Sequence, residues 1–410
     1  MCAVFGHLRA TYDRHRQTTK RVALALLATA LGLLVVGGAI RMLRAADQEP
    51  RPTAATGSPS AEWRATITGP VSGLAIDGGQ LFVAGDQLTA FPVSCPVDAD
   101  RCAPSWRGVV PDGPLSVPTV RDERVFVGSS EGQLYAFPST CDGEGCSPEW
   151  VGVAGDGTVS QPAANFDLVY VTSDELYAFP VGCASEDLAC PAAWSADVPG
   201  RPASGPPALG GGLVIVASSS TRGGVAAYPA VCGEDCRPVW TGRTDGPATS
   251  VAIGDGVAYA VARGQLMAFS LSCTGRCDPE WRAPFVPGAP FATGATSPPA
   301  VAGDRVLVGD DRGRLWVFAP TCDDPRCEPI GVYDLTSAPL FTPVVEGNRA
   351  VVTSQAGTIF RVNLACSAEG VGCRPTRARS LADPALAPAV IAPDATLAGT
   401  GHGSLEAFAW

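Results

Sequence analysis

The sequence predicts an all-β fold: an eight-bladed β-propeller of four-stranded blades, closed by the N-terminal strand and preceded by one transmembrane helix. Three observations carry the prediction. A short motif, Gly-Gln-Leu-Tyr-Ala-Phe-Pro at 132–138, recurs along the chain. The runs around it are short, apolar and bounded by Gly, Asp and Pro, and none has the period of an amphipathic helix. A tryptophan-led run at 62–65 has no unit before it, while the last unit ends at Trp410 without one.

The motif's aromatic position is filled by Phe91, Phe137, Phe179, Tyr228, Phe269, Phe318 and Phe408, and a further copy, GTIFRVN, ends at Asn363. Seven intervals cover the 317 residues from Phe91 to Phe408, a period of about 45 and so a repeat architecture. Each copy follows a run such as Val125-Phe126-Val127-Gly128, and an earlier one such as Pro118-Thr119-Val120. Such β-branched and aromatic runs favour strands. After the motif come a cysteine pair and an outer run: Trp106-Arg107-Gly108, Trp150-Val151-Gly152, Trp194-Ser195-Ala196, Trp240-Thr241-Gly242 and Trp281-Arg282-Ala283. Two units break the rule with Ile330-Gly331-Val332-Tyr333 and Thr376-Arg377-Ala378-Arg379. Four strands in each of eight units is propeller arithmetic, with seven blades as the alternative. The tryptophan strand at the start would complete the last blade and leave no free edge.

The pattern V-x-V-G-s-x-x-G-x-L-Y-A-F followed by W-R resembles the pyrroloquinoline-quinone-like (PQQ-like) repeat family of β-propellers over residues 61–410. The resemblance implies the fold and says little about activity. That family includes quinone-dependent alcohol dehydrogenases, an outer-membrane assembly lipoprotein and many exported propellers without known chemistry. Where the family usually has an Asp-x-x-x-Gly turn, this chain has its cysteine pairs. Its dehydrogenases carry adjacent cysteines in a vicinal disulfide and a calcium-bound acid; no Cys-Cys dipeptide occurs here. No cofactor-binding residue of the family can be placed on this chain, and no cofactor is expected.

Ahead of the propeller, residues 1–21 are basic, and 22–40 form an uncharged run, apolar except for Thr29. As a helix the run would be about 28 Å long, enough to cross a hydrocarbon core. The basic flank places the N-terminus in the cytoplasm and the propeller outside it. A cleaved signal peptide is the alternative, with Gly38-Ala39 as a small-residue site. Residues 41–60, rich in Ala, Pro, Thr and acids, read as a flexible tether. The expected organisation is thus a tail at 1–21, a signal-anchor at 22–40, a linker at 41–60 and the propeller at 61–410.

Residues 1–51 hold eight Lys/Arg and three Asp/Glu; the remaining 21 and 37 leave residues 52–410 at −16. An acidic domain argues against nucleic-acid binding, which needs a basic face. Lys20 as the sole lysine, with abundant Ala, Gly, Pro and Arg, suggests a GC-rich bacterial genome.

Of the 15 cysteines, Cys2 stands apart and 14 form close pairs: Cys95/Cys102, Cys141/Cys146, Cys183/Cys190, Cys232/Cys236, Cys273/Cys277, Cys322/Cys327 and Cys366/Cys373. One pair per unit at one position implies disulfides within each turn, and hence an oxidising compartment. Spacings of Cys-x3-Cys and Cys-x4-Cys also suit zinc. A zinc site would need turns of neighbouring blades to converge, and no histidine is nearby, so disulfides are the expectation and no metal is assigned.

Only His402 falls within the propeller; it is read as a turn residue. Asp122-Glu123, Asp174-Glu175, Asp310-Asp311 and Asp323-Asp324 sit in different turns and are read as solvated. No Gly-x-Ser-x-Gly elbow or Ser/His/Asp set is present. The expectation is a monomeric, non-catalytic binding or scaffold module, held to the cell membrane by its single helix. Its partner would be an envelope protein or a cell-wall polymer, and a PQQ-dependent or sugar-binding oxidoreductase is the alternative.

Overall fold

The computed structural model describes residues 62–95, 101–111, 113–183, 187–202, 205–221, 223–233, 235–285, 297–365 and 371–410. The expected anchor at 22–40 and tether at 41–60 lie outside the described residues. Among the described residues no helix is long and apolar enough to cross a membrane.

Eight separate sheets, each built on four antiparallel strands, form eight blades. Blade 1 contains Gly73–Asp77, Gln80–Ala84, Leu88–Pro92 and Trp106–Gly108 in up-and-down order. Blade 2 runs from Thr119–Arg121 to Trp150–Val153, blade 3 from Ala163–Ala164 to Trp194–Ala196, and blade 4 from Ala208–Gly210 to Trp240–Gly242. Blade 5 runs from Ala248–Gly254 to Trp281–Pro284, blade 6 from Ala300–Ala302 to Gly331–Asp334, and blade 7 from Val344–Glu346 to Arg377–Ser380. First strands of neighbouring blades meet around the axis. Blade 8 is built from both ends of the ring: Val390–Ile391, Thr396–Gly399 and Ser404–Phe408 are completed by Trp63–Thr66. Trp63 pairs with Ala407 and Thr66 with Ser404, so the closing strand is in full register.

The core is divided by blade. Eight apolar clusters are found among the described residues, one at each junction. At six outer strands the leading tryptophan lies opposite an alanine of its own blade: Trp63 on Ala407, Trp106 on Ala90, Trp150 on Ala136, Trp194 on Ala178, Trp240 on Ala227 and Trp281 on Ala268. A small residue opposite a large one lets the indole lie flat and reach the next blade. Trp63, Trp106, Trp150 and Trp240 stack on the motif phenylalanines Phe91, Phe137, Phe179 and Phe269, with centroids 6.1–6.2 Å apart. The glycine two residues after Trp150 makes room for this. A Cβ on Gly152 would sit 2.5 Å from the Phe179 ring, and one on Gly242 would sit 2.7 Å from Phe269.

Each such indole also seeks a carbonyl just beyond the next blade's motif. Trp63 donates to Val93 at 2.9 Å, Trp106 to Ser139 at 3.3 Å and Trp150 to Val181 at 3.2 Å. Trp194, Trp240 and Trp281 have buried indole N–H groups without a partner among the described residues. For two of them a competitor is visible. Tyr170 donates to Ala230 at 2.8 Å and Tyr259 to Pro320 at 3.0 Å, taking the carbonyls that Trp194 and Trp281 would use. Where the second strand has Phe82 or Phe126 instead, no hydroxyl competes.

The cysteine turns do more than clasp themselves. Six pairs are joined as expected: Cys95–Cys102, Cys141–Cys146, Cys183–Cys190, Cys232–Cys236, Cys273–Cys277 and Cys322–Cys327. Cys366, half of the seventh pair with Cys373, lies outside the described residues. Each turn precedes the outer strand of its own blade, and most reach back to the outer strand of the preceding one. Gly145–Cys146, Ala189–Cys190, Gly275–Cys277 and Val371–Cys373 add as parallel fifth strands to blades 1, 2, 4 and 6. Cys327 N–H donates to Arg282 in blade 5, and Cys102 N–H to Arg64 in blade 8. The expected four-stranded blades are therefore five-stranded in four cases, because an outer strand's free amides are satisfied by the next blade's turn. Closing a turn of about six residues contributes roughly 2 kcal/mol on the chain-entropy account.

The pair of Cys232 and Cys236 occupies the equivalent turn of blade 4 and differs in burial. Its bond is formed, but Cys236 is half-buried, whereas Cys102, Cys146, Cys190, Cys277 and Cys327 are buried. Among the described residues no strand forms in the Cys232–Cys236 turn, and no backbone bond joins Cys236 to the outer strand of blade 3. Cys236 lies with Cys232 at the edge of the Trp194 cluster.

Two outcomes follow from this packing. Gly152→Ala should lower unfolding stability by about 1–3 kcal/mol through overpacking against Phe179, measured by denaturant unfolding with Gly145→Ala as a control in open space. Desolvation raises the phenol of the fully buried Tyr259 to about 12, and those of Tyr170, Tyr228 and Tyr333 are raised by burial as well. A raised folded value favours the neutral phenol, so stability holds below pH 10 and falls as pH climbs through about 12. Unfolding followed over that window should show a shallower pH slope for Tyr259→Phe than for the parent; an unchanged slope contradicts the assignment.

Candidate functional site

The up-and-down order sends the turns between second and third strands, and the links between blades, to one rim of the ring. The turns between first and second strands and the cysteine turns go to the other. On the first rim a recurrent side-chain oxygen builds the turn. Ser129 Oγ accepts from Glu131 and Gln133 N–H, Ser354 Oγ from Thr358 N–H, and Thr400 Oγ1 from His402 and Ser404 N–H. Such side chains satisfy the backbone where the ladder stops.

Asp310 takes this position in blade 6 and departs from the solvated-turn reading of its pair. It is 3% exposed and accepts from the Arg312 and Arg314 amides, from the Arg314 guanidinium at 2.8 Å and from Trp316 Nε1 at 3.0 Å. Every acceptor direction is used, so this carboxylate is structural. Asp122 and Glu123 occupy a first-to-second strand turn with φ of 50° and 58°, on the opposite rim. His402 is exposed, with Nδ1 3.1 Å from Asp383 Oδ1. The structure does not bring these residues together. Among the described residues no group of three or more His, Cys, Asp or Glu is placed to hold a metal.

Blade 4 supplies a concave feature of this rim. Its second and third strands, Leu213–Ala217 and Val225–Pro229, are joined by seven residues, against two to four in the other blades. This loop, Ser218 to Gly224, together with the blade 3–4 and 4–5 links, walls a cavity of about 930 Å³. Its polar lining includes Ser220, Thr221, Thr241, Arg243, Asp245 and Arg276. Asp245, at φ 58°, holds Arg243 Nε at 3.4 Å and also pairs with Arg282 of blade 5. Arg276 comes from the cysteine turn of blade 5, which runs back along the outer strand of blade 4 and sets Arg276 opposite Thr241, and it forms no ion pair among the described residues. Hydroxyls, glycine backbone and the Arg276 guanidinium can bind a polar or anionic group. They include no nucleophile beside a general base. Sequence reasoning missed this site because it rests on loop length, not on a residue pattern.

The cavity does not suit a redox quinone. A flat quinone needs an aromatic face to stack on, yet this lining is Ser, Thr, Gly, Pro, Val, Ala, Arg and Asp, and the outer-strand tryptophans are buried between blades.

Residues 53–179 and 191–322, more than half of the chain, match the PQQ_2 family, described as outer membrane protein assembly factor BamB. No curated protein matches the chain. Among solved structures it is similar to BamB from Moraxella catarrhalis, with a TM-score of 0.59 and 15% identity over 85% of this chain and 98% of that one. It also resembles Sqt1 from Saccharomyces cerevisiae (TM-score 0.68, 7% identity, 86% and 99% covered) and the computationally designed Ika8 protein (0.65, 9%, 84% and 99%). At these identities the structures share the fold alone.

Removal of the Asp310 carboxylate should strand the Arg314 and Trp316 donors. Asp310→Ala is expected to lose about 3 kcal/mol of stability in denaturant unfolding, and His402→Ala less than about 0.5 kcal/mol.

Proposed function

Since the chain belongs to the PQQ_2 family of the outer membrane protein assembly factor BamB, we propose that it is a non-catalytic binding or scaffold module of the cell envelope. The partner is an envelope protein engaged by the rim that carries the blade 4 cavity. The single observation behind this reading is the seven-residue loop of blade 4, longer than the corresponding loop of every other blade, which opens a concavity carrying hydroxyls, arginines and Asp245. A closed ring of disulfide-bearing blades would hold such a surface rigid. Rigidity lowers the cost of ordering on binding.

The remaining parts of the proposal rest on sequence. Residues 22–40 form an uncleaved anchor, with the N-terminus in the cytoplasm and the propeller outside, where its disulfides can form. In intact cells Cys2 should then be shielded from a membrane-impermeant thiol reagent; labelling of Cys2 there contradicts this topology.

Crosslinking of the full chain in native membranes, followed by mass spectrometry, tests the binding role. A specific envelope protein should be captured, and Thr221→Glu with Arg276→Glu should reduce its capture about tenfold or more. Capture of lipid and wall material alone, or capture indifferent to those changes, removes the protein-scaffold reading and favours a glycan or small-molecule ligand.

A further inference from the structure

Blade 7 breaks two regularities at once. Its outer strand Arg377–Ser380 has no cysteine turn of a following blade to cover it, because the outer strand of blade 8 comes from the other end of the domain. On blades 1, 2 and 5 the outward amides of the outer strand are used. Arg107 and Val109 donate to Glu144 and Cys146, Val151 to Leu188, and Arg282 to Pro325. Each of those acceptors lies in the turn of the following blade, and for blade 3 the matching position, 234, falls outside the described residues. The corresponding residues of blade 7 are Ala378 and Ser380. Leu381 N–H bonds inward to Gly357, as Ala154 does to Gly132 in blade 2, so alternation sends the Ala378 and Ser380 amides outward. Ser380 is exposed and Ala378 of the same strand is solvent-facing on its outer side; among the described residues no strand pairs with this edge.

The second break is chemical. The cross-strand pair that is tryptophan on alanine in six blades is Arg377 on Arg361 here. Directly opposed like charges destabilise a sheet. Arg379, on the same face, is accounted for: its guanidinium stacks on Phe408 at 4.3 Å and lies 3.6 Å from Glu406, replacing the indole–phenyl contact at this junction. Among the described residues Arg361 and Arg377 have no such role and no ion pair, and exposed Arg374 just upstream has none either. The strands of blade 7 carry Arg349, Arg361, Arg377 and Arg379 against Glu346 alone, in a chain of net charge −11.

We infer that the outer edge of blade 7 is a second docking surface, which takes an extended acidic segment of a partner protein as an added strand. The Ala378 and Ser380 amides supply the ladder, and Arg361 and Arg377 hold carboxylates on the flanking face. Charge complementarity selects this occupant. The chain's own residues 53–61, Thr-Ala-Ala-Thr-Gly-Ser-Pro-Ser-Ala, contain no acid to neutralise the arginine pair. The inference rests on the binding-module reading above, but uses a different surface.

The test uses the full chain in detergent and two labelled eight-residue peptides, one alternating valine with glutamate and one alternating valine with lysine. Fluorescence anisotropy should show saturable binding of the glutamate peptide alone. Hydrogen exchange should show new protection at Ala378 and Ser380. Arg361→Gln with Arg377→Gln should weaken binding about tenfold or more, the loss of one or two charge-assisted contacts. Ala378→Pro deletes one outward amide at an edge position that tolerates proline, and should abolish the protection. Three results overturn the inference: no binding up to about 1 mM peptide, binding unchanged by these substitutions, or protection of Ala378 and Ser380 before any peptide is added. Partner capture in membranes that survives Ala378→Pro would leave the scaffold reading standing and this surface without a role.

Discussion

The contact on which the ring depends is an indole laid across an alanine of its own blade and stacked against a phenylalanine of the next. Trp150 illustrates it: fully buried, paired with Ala136, stacked 6.2 Å from Phe179 and bonded to Val181. A blade alone is a small twisted sheet with two apolar faces, and such a sheet is not stable by itself. Each face must find a neighbour, and the stack fixes how the neighbour sits. The same contact explains the glycine two residues after Trp106, Trp150 and Trp240, where a Cβ would come within 2.5–3.0 Å of the stacked phenylalanine ring.

Edges are the second constraint. A ring removes the faces from water but leaves one outer strand per blade with unused amides, an invitation to unwanted pairing. Most cysteine turns answer it by reaching back across the junction. They join neighbouring blades by hydrogen bonds as well as by packing, and the disulfide inside each turn shapes the segment that pairs. Ring closure through Trp63–Thr66 disrupts the scheme at blade 7, where the succeeding outer strand is not preceded by such a turn. There the outer strand changes from tryptophan-led to arginine-led, and an indole stack gives way to Arg379 on Phe408.

The two departures from regularity that bear on function differ in kind. Blade 4 lengthens a loop and creates a polar cavity, while blade 7 keeps its length and changes its charge. A repeat protein has many equivalent positions, so a single unlike unit stands out against its neighbours. Asp310 is the caution in this logic: an acid in a turn looked solvated, yet it is buried and fully bonded within blade 6.

The sequence by itself determined the repeat, the strand content, the eight units and the closing strand, because those follow from local patterns: apolar alternation, turn glycines and a regular spacing of about 45 residues. It also marked where the tryptophan rule fails, at Gly331 and Arg377. Only the tertiary structure decided what depends on neighbours in space. It showed that cysteine turns serve the preceding blade, that Tyr170 and Tyr259 compete with tryptophans for the same carbonyls, and that Asp310 is enclosed while Cys236 is not. It likewise brought Arg361 opposite Arg377 across 16 positions of sequence, and gathered a cavity from loops of three blades. Residues far apart in the chain become partners only through register and curvature, and neither is written in any one segment.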